Sequence, residues 1–452
     1  MMTATHDRRT NDRRWLWLLL FTALLLAASY LGRAVTAGNG RALLDGLLGP
    51  AEPPIPDVLS PAEQIAFWSA RLKPDTQDYL TLTTLAGAYL ARARETGDAA
   101  DYGRAEEALR RALALNPRYE KAAALLGGVL IGQHAFAEAL AQEQAVLATN
   151  PDAPQALATS GDAYLEMGDL AAAEAAYRHL LELAPDGPAY SRLSRLAWIQ
   201  GRPEEAIDWM RRAADETVAL DVGGEELAWY RFQLGELYYN RGDLRHARRW
   251  YGESEQALPG YYLASAGLGK VAAARGDYDG AIARYEALVA RLPQPAFVAA
   301  LGDYYALSGD AAAAQEQYDT VAFIHQLDES KQVLYNRQMA QFFANHNIEL
   351  DTALAYAQGE LAARQDIYAY DTLAWALYRA GRLDEAADAA QRALAHGTPD
   401  AALYYHAGMI AAARGQTATA IDHLRHALDL NPNFDLLQAR QARATLAALQ
   451  GE

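Results

Sequence analysis

Residues 155–185, QALATSGDAYLEMGDLAAAEAAYRHLLELAP, hold two helices and a turn in a form that decides the fold. Leu157, Gly161 and Tyr164 share one face of a first helix, Met167-Gly168-Asp169 turns the chain, and Ala173, Tyr177 and Leu180 share one face of a second. Pro185 cannot continue a helix and closes the unit. A helix pair of this size cannot bury its apolar face alone, so the stretch predicts stacking against copies of itself.

Those copies are present. The small residue of the second helix recurs at Ala105, Ala139, Ala173, Ala206, Ala247, Ala281, Ala314, Ala353, Ala386 and Ala420, at intervals of 34, 34, 33, 41, 34, 33, 39, 33 and 34. Pro117, Pro151, Pro185, Pro259, Pro293 and Pro432 each follow such an alanine by 12 residues. First helices carry Leu126-Gly127, Gly161 with Tyr164, Leu234-Gly235 with Tyr238, Leu268-Gly269, Leu301-Gly302 with Tyr305, and Gly408. Turns carry Gly168, Gly201, Gly242, Gly276, Gly309, Gly381 and Gly415, and second helices Tyr177, Tyr251, Tyr285 and Tyr318. Each unit resembles a tetratricopeptide repeat, the helix-turn-helix module of about 34 residues. The resemblance spans about residues 78–433 and implies an all-α, right-handed α-solenoid of about ten helix pairs.

Three departures mark irregular units: inserted residues around Glu95–Asp101, a longer connection around Thr217–Gly224, and Gln341 where other first helices place a small residue. After Pro432, FDLLQARQARATLAALQ predicts an amphipathic capping helix over 433–452 with a polar outer face. The expected domains are thus a basic tail (1–14), an apolar helix (15–32), a Pro/Gly-rich linker with a short helix around Ala62–Leu72 (33–76), the array (77–432) and the cap.

Composition agrees with helices throughout. The hydrophobic share of 51% is largely Ala and Leu, strong helix formers, with Val, Ile and Thr too sparse for a sheet. A net charge of -17 disfavours nucleic acid, whose binding depends on Lys and Arg at phosphates. The absence of cysteine excludes disulfides, zinc–thiolate sites, iron–sulfur clusters and thiol nucleophiles. Only four lysines stand beside 36 arginines, a balance that fits a GC-rich bacterial genome.

The run Trp15–Leu31, WLWLLLFTALLLAASYL, is free of charge over 17 residues, near the lower length limit for a bilayer span. Trp15, Trp17 and Tyr30 sit at its ends, and Arg8, Arg9, Arg13 and Arg14 precede it, which places the N-terminus in the cytoplasm and the array outside. Two readings follow. An uncleaved run makes a single-pass membrane protein tethered through residues 15–32; cleavage after Val35-Thr36-Ala37 makes a secreted one.

No catalytic signature emerges. Gly267-Leu268-Gly269 imitates a dinucleotide fingerprint but lacks the preceding strand, and Gly269 has a packing role between helices. His423 and His426 with His406 read as isolated surface histidines, and Glu204-Glu205 and Asp221–Glu226 as solvated charges near helix starts. No enzyme activity, cofactor or metal is expected.

In the family this chain resembles, first helices line a concave surface that binds a peptide or helix of a partner protein. Mapped by register, the partner-binding candidates form two aromatic-rich zones. The first holds Trp198, Trp229, Phe232, Glu236, Tyr239 and Asn240; the second holds Phe342, Asn345, Asp371, Trp375, Tyr378, Arg379, Tyr405, His406 and Met409. Lys270, Asp303 and Tyr335 occupy further slots, and Lys270 lacks the asparagines with which some relatives clamp a peptide carboxylate. The expected function is a membrane-tethered, extracytoplasmic scaffold for an unidentified protein partner, or a secreted chaperone or assembly factor for envelope components.

Overall fold

The computed structural model describes residues 59–72, 77–96, 98, 100–220, 223–329 and 336–451. The chain divides into two units, Met1–Val58 and Leu59–Glu452; the expected tail, apolar helix and linker up to residue 58 lie outside the described residues. The described residues form 22 α-helices and no strand.

Helix α1 (Pro61–Ser69) opens the second unit, with Ser60 and Glu63 in a reciprocal capping box. Its Trp68 is buried against Leu85 and Ala88 and closes the end of the array. Ten helix pairs follow: α2 (Tyr79–Thr96) with α3 (Ala100–Leu115), α4 (Glu120–Gly132) with α5 (Phe136–Leu147), α6 (Pro154–Glu166) with α7 (Leu170–Leu183), α8 (Gly187–Ile199) with α9 (Pro203–Ala219), and α10 (Glu225–Asn240) with α11 (Leu244–Ala257). The remainder are α12 (Tyr262–Ala274) with α13 (Tyr278–Arg291), α14 (Pro295–Ser308) with α15 (Ala311–Glu329), α16 (Asn336–His346) with α17 (Leu350–Ala363), α18 (Ile367–Arg379) with α19 (Leu383–Ala393), and α20 (Ala401–Ala413) with α21 (Thr417–Leu430). The final helix is α22 (Leu436–Gln450), capped by Asp435.

The ten register alanines are all buried, none more than 3% exposed. Twelve residues before each of Ala139 to Ala420 lies the slot that receives the second helix. A Cβ on Gly235 would come within 2.3 Å of the Tyr251 ring, and one on Gly161 within 2.4 Å of the Tyr177 ring. Only the missing side chain lets these rings lie flat on the partner backbone. In the eighth unit Gln341 takes the first-helix slot, and Ala357, at the second-helix position that Tyr177 and Tyr251 hold in their units, is fully buried. The second unit departs in chemistry. There Glu143 replaces the tyrosine and lies against Gly127, fully buried and with no hydrogen-bond partner among the described residues.

The array coils back upon itself every six units. Gly168, at φ +83, turns the third unit so closely against the loop before the ninth that a Cβ would meet Gln365 O at 2.5 Å, and Gln365 N donates to Glu166 O at 3.1 Å. Thr398, before the tenth unit, donates from Oγ1 to Ile199 O at 2.5 Å in the fourth. Before α22, Asn431 donates to Tyr239 O at 2.8 Å, and Tyr239 Oη donates to Asn433 O at 2.7 Å. A buried charge cluster stiffens this seam: Arg364 Nε lies 2.8 Å from Glu166 Oε2 and its Nη1 3.4 Å from Glu360, its guanidinium stands 5.0 Å from the centre of the Phe136 ring, and Arg195 also binds Glu166.

The expected localisation is corrected. Among the described residues no helix is long and apolar enough to cross a membrane, so a single-pass placement has no span in the structure to rest on. Residues 15–32, which carried that expectation, lie outside the described residues.

Two measurements test these contacts. Arg364→Ala, which strips a buried charge from the seam while Arg195 still faces Glu166, is expected to lower unfolding free energy by roughly 3 kcal/mol in urea titrations. Burial pushes the Glu143 carboxyl up to about 8. The folded chain therefore holds a proton there that the unfolded chain has released. Its stabilising contribution is complete below the ordinary carboxylate range and is lost as pH rises through about 8. The melting temperature of Glu143→Gln relative to wild type should accordingly rise between about pH 5 and about pH 9.

Candidate partner-binding channel

The glycine slot also builds the concave wall. Once a second-helix ring lies across Gly161, Gly235 or Gly302, its hydroxyl emerges beside the next residue of the first helix, which is acidic in all three units. Tyr177 Oη donates to Asp162 at 2.8 Å, Tyr318 Oη to Asp303 at 2.8 Å, and Tyr251 Oη to Glu236. Burial, with the neighbouring carboxylate second, pushes the Tyr177 and Tyr251 phenols well above their ordinary range, so they remain donors.

Each acid is then met by a cation or histidine from the following unit. Arg192 clamps Asp162 with Nε at 2.9 Å and Nη2 at 2.8 Å, and Lys270 Nζ sits 2.7 Å and 2.9 Å from the two oxygens of Glu236. His346 Nε2 lies 2.9 Å from Asp303 Oδ1. Burial alone would lower the His346 pKa, but the Asp303 hydrogen bond and charge outweigh it, and the net shift is upward. The fingerprint-like glycines belong to the same packing: Gly267 lies beneath Tyr251 and Gly269 beneath Tyr285.

A channel of about 2800 Å³ runs along these first helices. Trp198, Trp229, Phe232, Glu236 and Asn240 line it, as do Arg192, Arg195 and Tyr261. Trp229 and Phe232 are half-buried, packed on the core at one side and facing the channel at the other. Arg94, near the end of α2, reaches Glu225, at the start of α10, at 3.6 Å. Glu225 is thereby a wall residue, its pKa raised chiefly by burial, rather than the solvated charge the sequence suggested.

The other candidates are placed differently. Tyr239 is buried in the seam, and Lys270 is held by Glu236 with its ammonium 4.3 Å above the Tyr239 ring. Tyr335 lies outside the described residues. Phe342, Asp371, Trp375, Tyr405, His406 and Met409 share one buried region. Within it Phe342, Trp375, Tyr405 and Met409 form a cluster with Ala442 of α22. Trp375 stacks on Tyr378 at 4.9 Å and on His406 at 4.3 Å, while Arg379 donates to Asn347 Oδ1 at 2.9 Å near the surface. His406 is therefore no surface histidine: its Nδ1 lies 2.9 Å from Asp371 Oδ1. His423 and His426 stand apart from it, beside the Tyr404 ring.

Sequence reasoning missed Arg192, Arg195, Glu225 and Tyr261. A signal for the first existed: an acid directly after the slot glycine, and a cation about one period later, mark the ladder of ion pairs at Asp162–Arg192 and Glu236–Lys270.

A profile of the tetratricopeptide repeat matches residues 90–154, 159–217, 266–328 and 372–433. No curated protein sequence matches the chain. Among solved structures it is similar to the APC/C hetero-tetramer Cut9–Hcn1, at 16% identity over 86% of this chain and 81% of that chain with a TM-score of 0.41. It is also similar to the human IFIT1 dimer with PPP-AAAA, at 14% identity over 83% and 95% with a TM-score of 0.43. A third likeness is to PilW, a type IV pilus biogenesis factor, at 16% identity over 48% and 96% with a TM-score of 0.38. These likenesses are of fold only.

The ladder makes a graded prediction. Tyr177→Phe removes one hydrogen bond and should cost about 1 kcal/mol, whereas Asp162→Leu strands both the Tyr177 hydroxyl and Arg192 and should cost about 3 kcal/mol. Chemical denaturation of both variants checks the order.

Proposed function

The chain belongs to the tetratricopeptide repeat family, whose members mediate protein–protein interactions, and from that premise we propose that it binds a segment of a partner protein inside the channel that its first nine units line. The observation that carries this reading is the size of the channel together with its aromatic wall. At about 2800 Å³ it exceeds the roughly 300–1,000 Å³ of a small-molecule pocket several-fold. Trp229 and Phe232 offer half-buried faces of the kind that anchor polypeptide interfaces.

The role is binding without chemistry. On the channel wall Asp162, Glu225 and Glu236 are matched by Arg192, Arg94 and Lys270. They supply a polar rail against which a partner's amides and charges can register, while the rings supply the contact area.

Full-length protein immobilised as wild type, Trp229→Ala/Phe232→Ala and Leu183→Ala tests the channel. Leu183 is an exposed hydrophobic on α7, away from the channel lining. Proteins retained by wild type and by Leu183→Ala should fall about tenfold or more on the double variant, as loss of anchor residues does elsewhere, with helical circular dichroism unchanged. Equal retention on all three would refute the assignment.

A further inference from the structure

The seam stops while the edges that build it continue. Each rung sets the turn between two paired helices against the loop that leads into a first helix six units on, α22 taking that place after the tenth unit. Gly168 meets Gln365, Gly201 meets Gly397 and Gly242 meets Leu430, so that a Cβ on them would lie 2.5, 2.8 and 3.3 Å from a backbone oxygen of the facing loop. Gly276, Gly309, Gly381 and Gly415 hold the same turn, at φ +83, +95, +76 and +71, yet a Cβ there would meet nothing within 4 Å. Asp277 and Asp310 cap the helices that follow these turns just as Asp169 and Asp243 do in the seam. In the seam Tyr239 O accepts both Gly242 N and Asn431 Nδ2, each at 2.8 Å. At the same place in the seventh unit Ala306 O accepts Gly309 N at 3.3 Å, with no side-chain donor beside it among the described residues.

The other half of a rung is repeated as well. Asn431 opens an Asn-Pro loop in which its Oδ1 accepts from Asn433 N at 2.9 Å, its carbonyl accepts from Phe434 N at 3.4 Å, and its Nδ2 is left to reach across the seam. Asn116-Pro117, before the second unit, builds the same loop: Arg118 N donates to Asn116 Oδ1 at 3.2 Å and Tyr119 N to Asn116 O at 3.2 Å. The loops differ in what they face. Asn431 is fully buried, whereas Asn116 is half-buried and its Nδ2 has no partner among the described residues.

One chain thus carries an open turn on its seventh unit and an open loop before its second, cut to the pattern that joins its fifth unit to α22. Among the described residues no unit lies six beyond the one or six before the other, so the two edges do not meet within the chain. Setting Asn116 of a second copy on the turn at Gly309 repeats the internal step of six. In that register the loop capped by Asp186 falls on Gly381, as the loop capped by Asp366 falls on Gly168. The same register brings α1, which holds a second-helix place before α2 and exposes Ala62, Ala66 and Phe67, alongside α22, which holds a first-helix place after α21.

We propose that the open turn edge receives the open loop edge of a second copy of this chain, so that copies join head to tail and carry the coil on from one to the next. Each copy uses one edge toward its predecessor and the other toward its successor, so the contact is heterologous and does not close at two. Charge opposes it, since every copy carries -17; salt screens that repulsion and favours the joint. The channel is not involved, as neither Asn116 nor Gly309 lines it.

Sedimentation velocity of the full-length protein between about 1 µM and about 100 µM is the test. The weight-average coefficient should climb with concentration without levelling at the dimer, and should climb further at about 0.5 M than at about 0.05 M salt. Asn116→Asp keeps the Oδ1 acceptor that shapes the loop but turns the reaching amide into a carboxylate facing a carbonyl. Gly309→Asn, which uses a residue type that tolerates positive φ, puts a side chain where the incoming backbone lies. Either variant alone should associate at least about tenfold more weakly, with its helical circular dichroism unchanged. An equimolar mixture should regain association and stop at dimers, because the Asn116→Asp copy still offers its turn and the Gly309→Asn copy its loop. Should Gly309→Asn fold poorly, Ser308→Trp, at an exposed position beside it, takes its place. A coefficient constant with concentration would overturn the proposal, as would association that both variants leave intact or a mixture that fails to pair.

Discussion

A second-helix side chain pressed onto a first-helix slot, twelve residues before the register alanine, is the contact on which this structure depends. Tyr177, Tyr251, Tyr285 and Tyr318 lie on Gly161, Gly235, Gly269 and Gly302, whereas Gly127 meets Glu143 and Gly408 meets Leu424. The chemistry of the slot varies while the helix pair recurs. A constant pair geometry, repeated, is what lets small rotations add up so regularly that units six apart meet in register at Gly168, Ile199 and Tyr239.

The same contact gives the concave side its polarity. Because the ring must cross the glycine, its hydroxyl is delivered to the concave face, where Asp162, Glu236 and Asp303 receive it and residues of the next unit neutralise them. Packing and binding surface are therefore two sides of one residue pair. The aromatic rings that remain on that face divide by position: Trp229 and Phe232 border the open channel, whereas Trp375 and Tyr405 lie beneath α22.

The helices, their pairing and the concave register were legible in the sequence because each rests on a local period: the alanines, the slot glycines and the closing prolines. The cation partners of the concave acids were legible in principle, one period downstream, and were overlooked because each residue was weighed within its own unit. The seam was not legible. Thr398 bonding to Ile199 depends on rotation accumulated over six units, and no short pattern around either residue announces it. For the same reason His406 read as a surface histidine: its burial comes from α22 and Trp375, not from its own helix. The single-pass placement rested on residues 15–32 alone, and no helix among the described residues supports it.

An open solenoid can gain or lose a module and remain intact, since each module touches only its neighbours. Here Arg364 reaches Glu166 and Asn431 reaches Tyr239 across six units, so removing or adding one module between them would offset every one of these pairings by a full repeat. The seam thus counts. It makes the number of modules a structural constant rather than a tolerance, and it couples distant modules so that those joined across it should melt together.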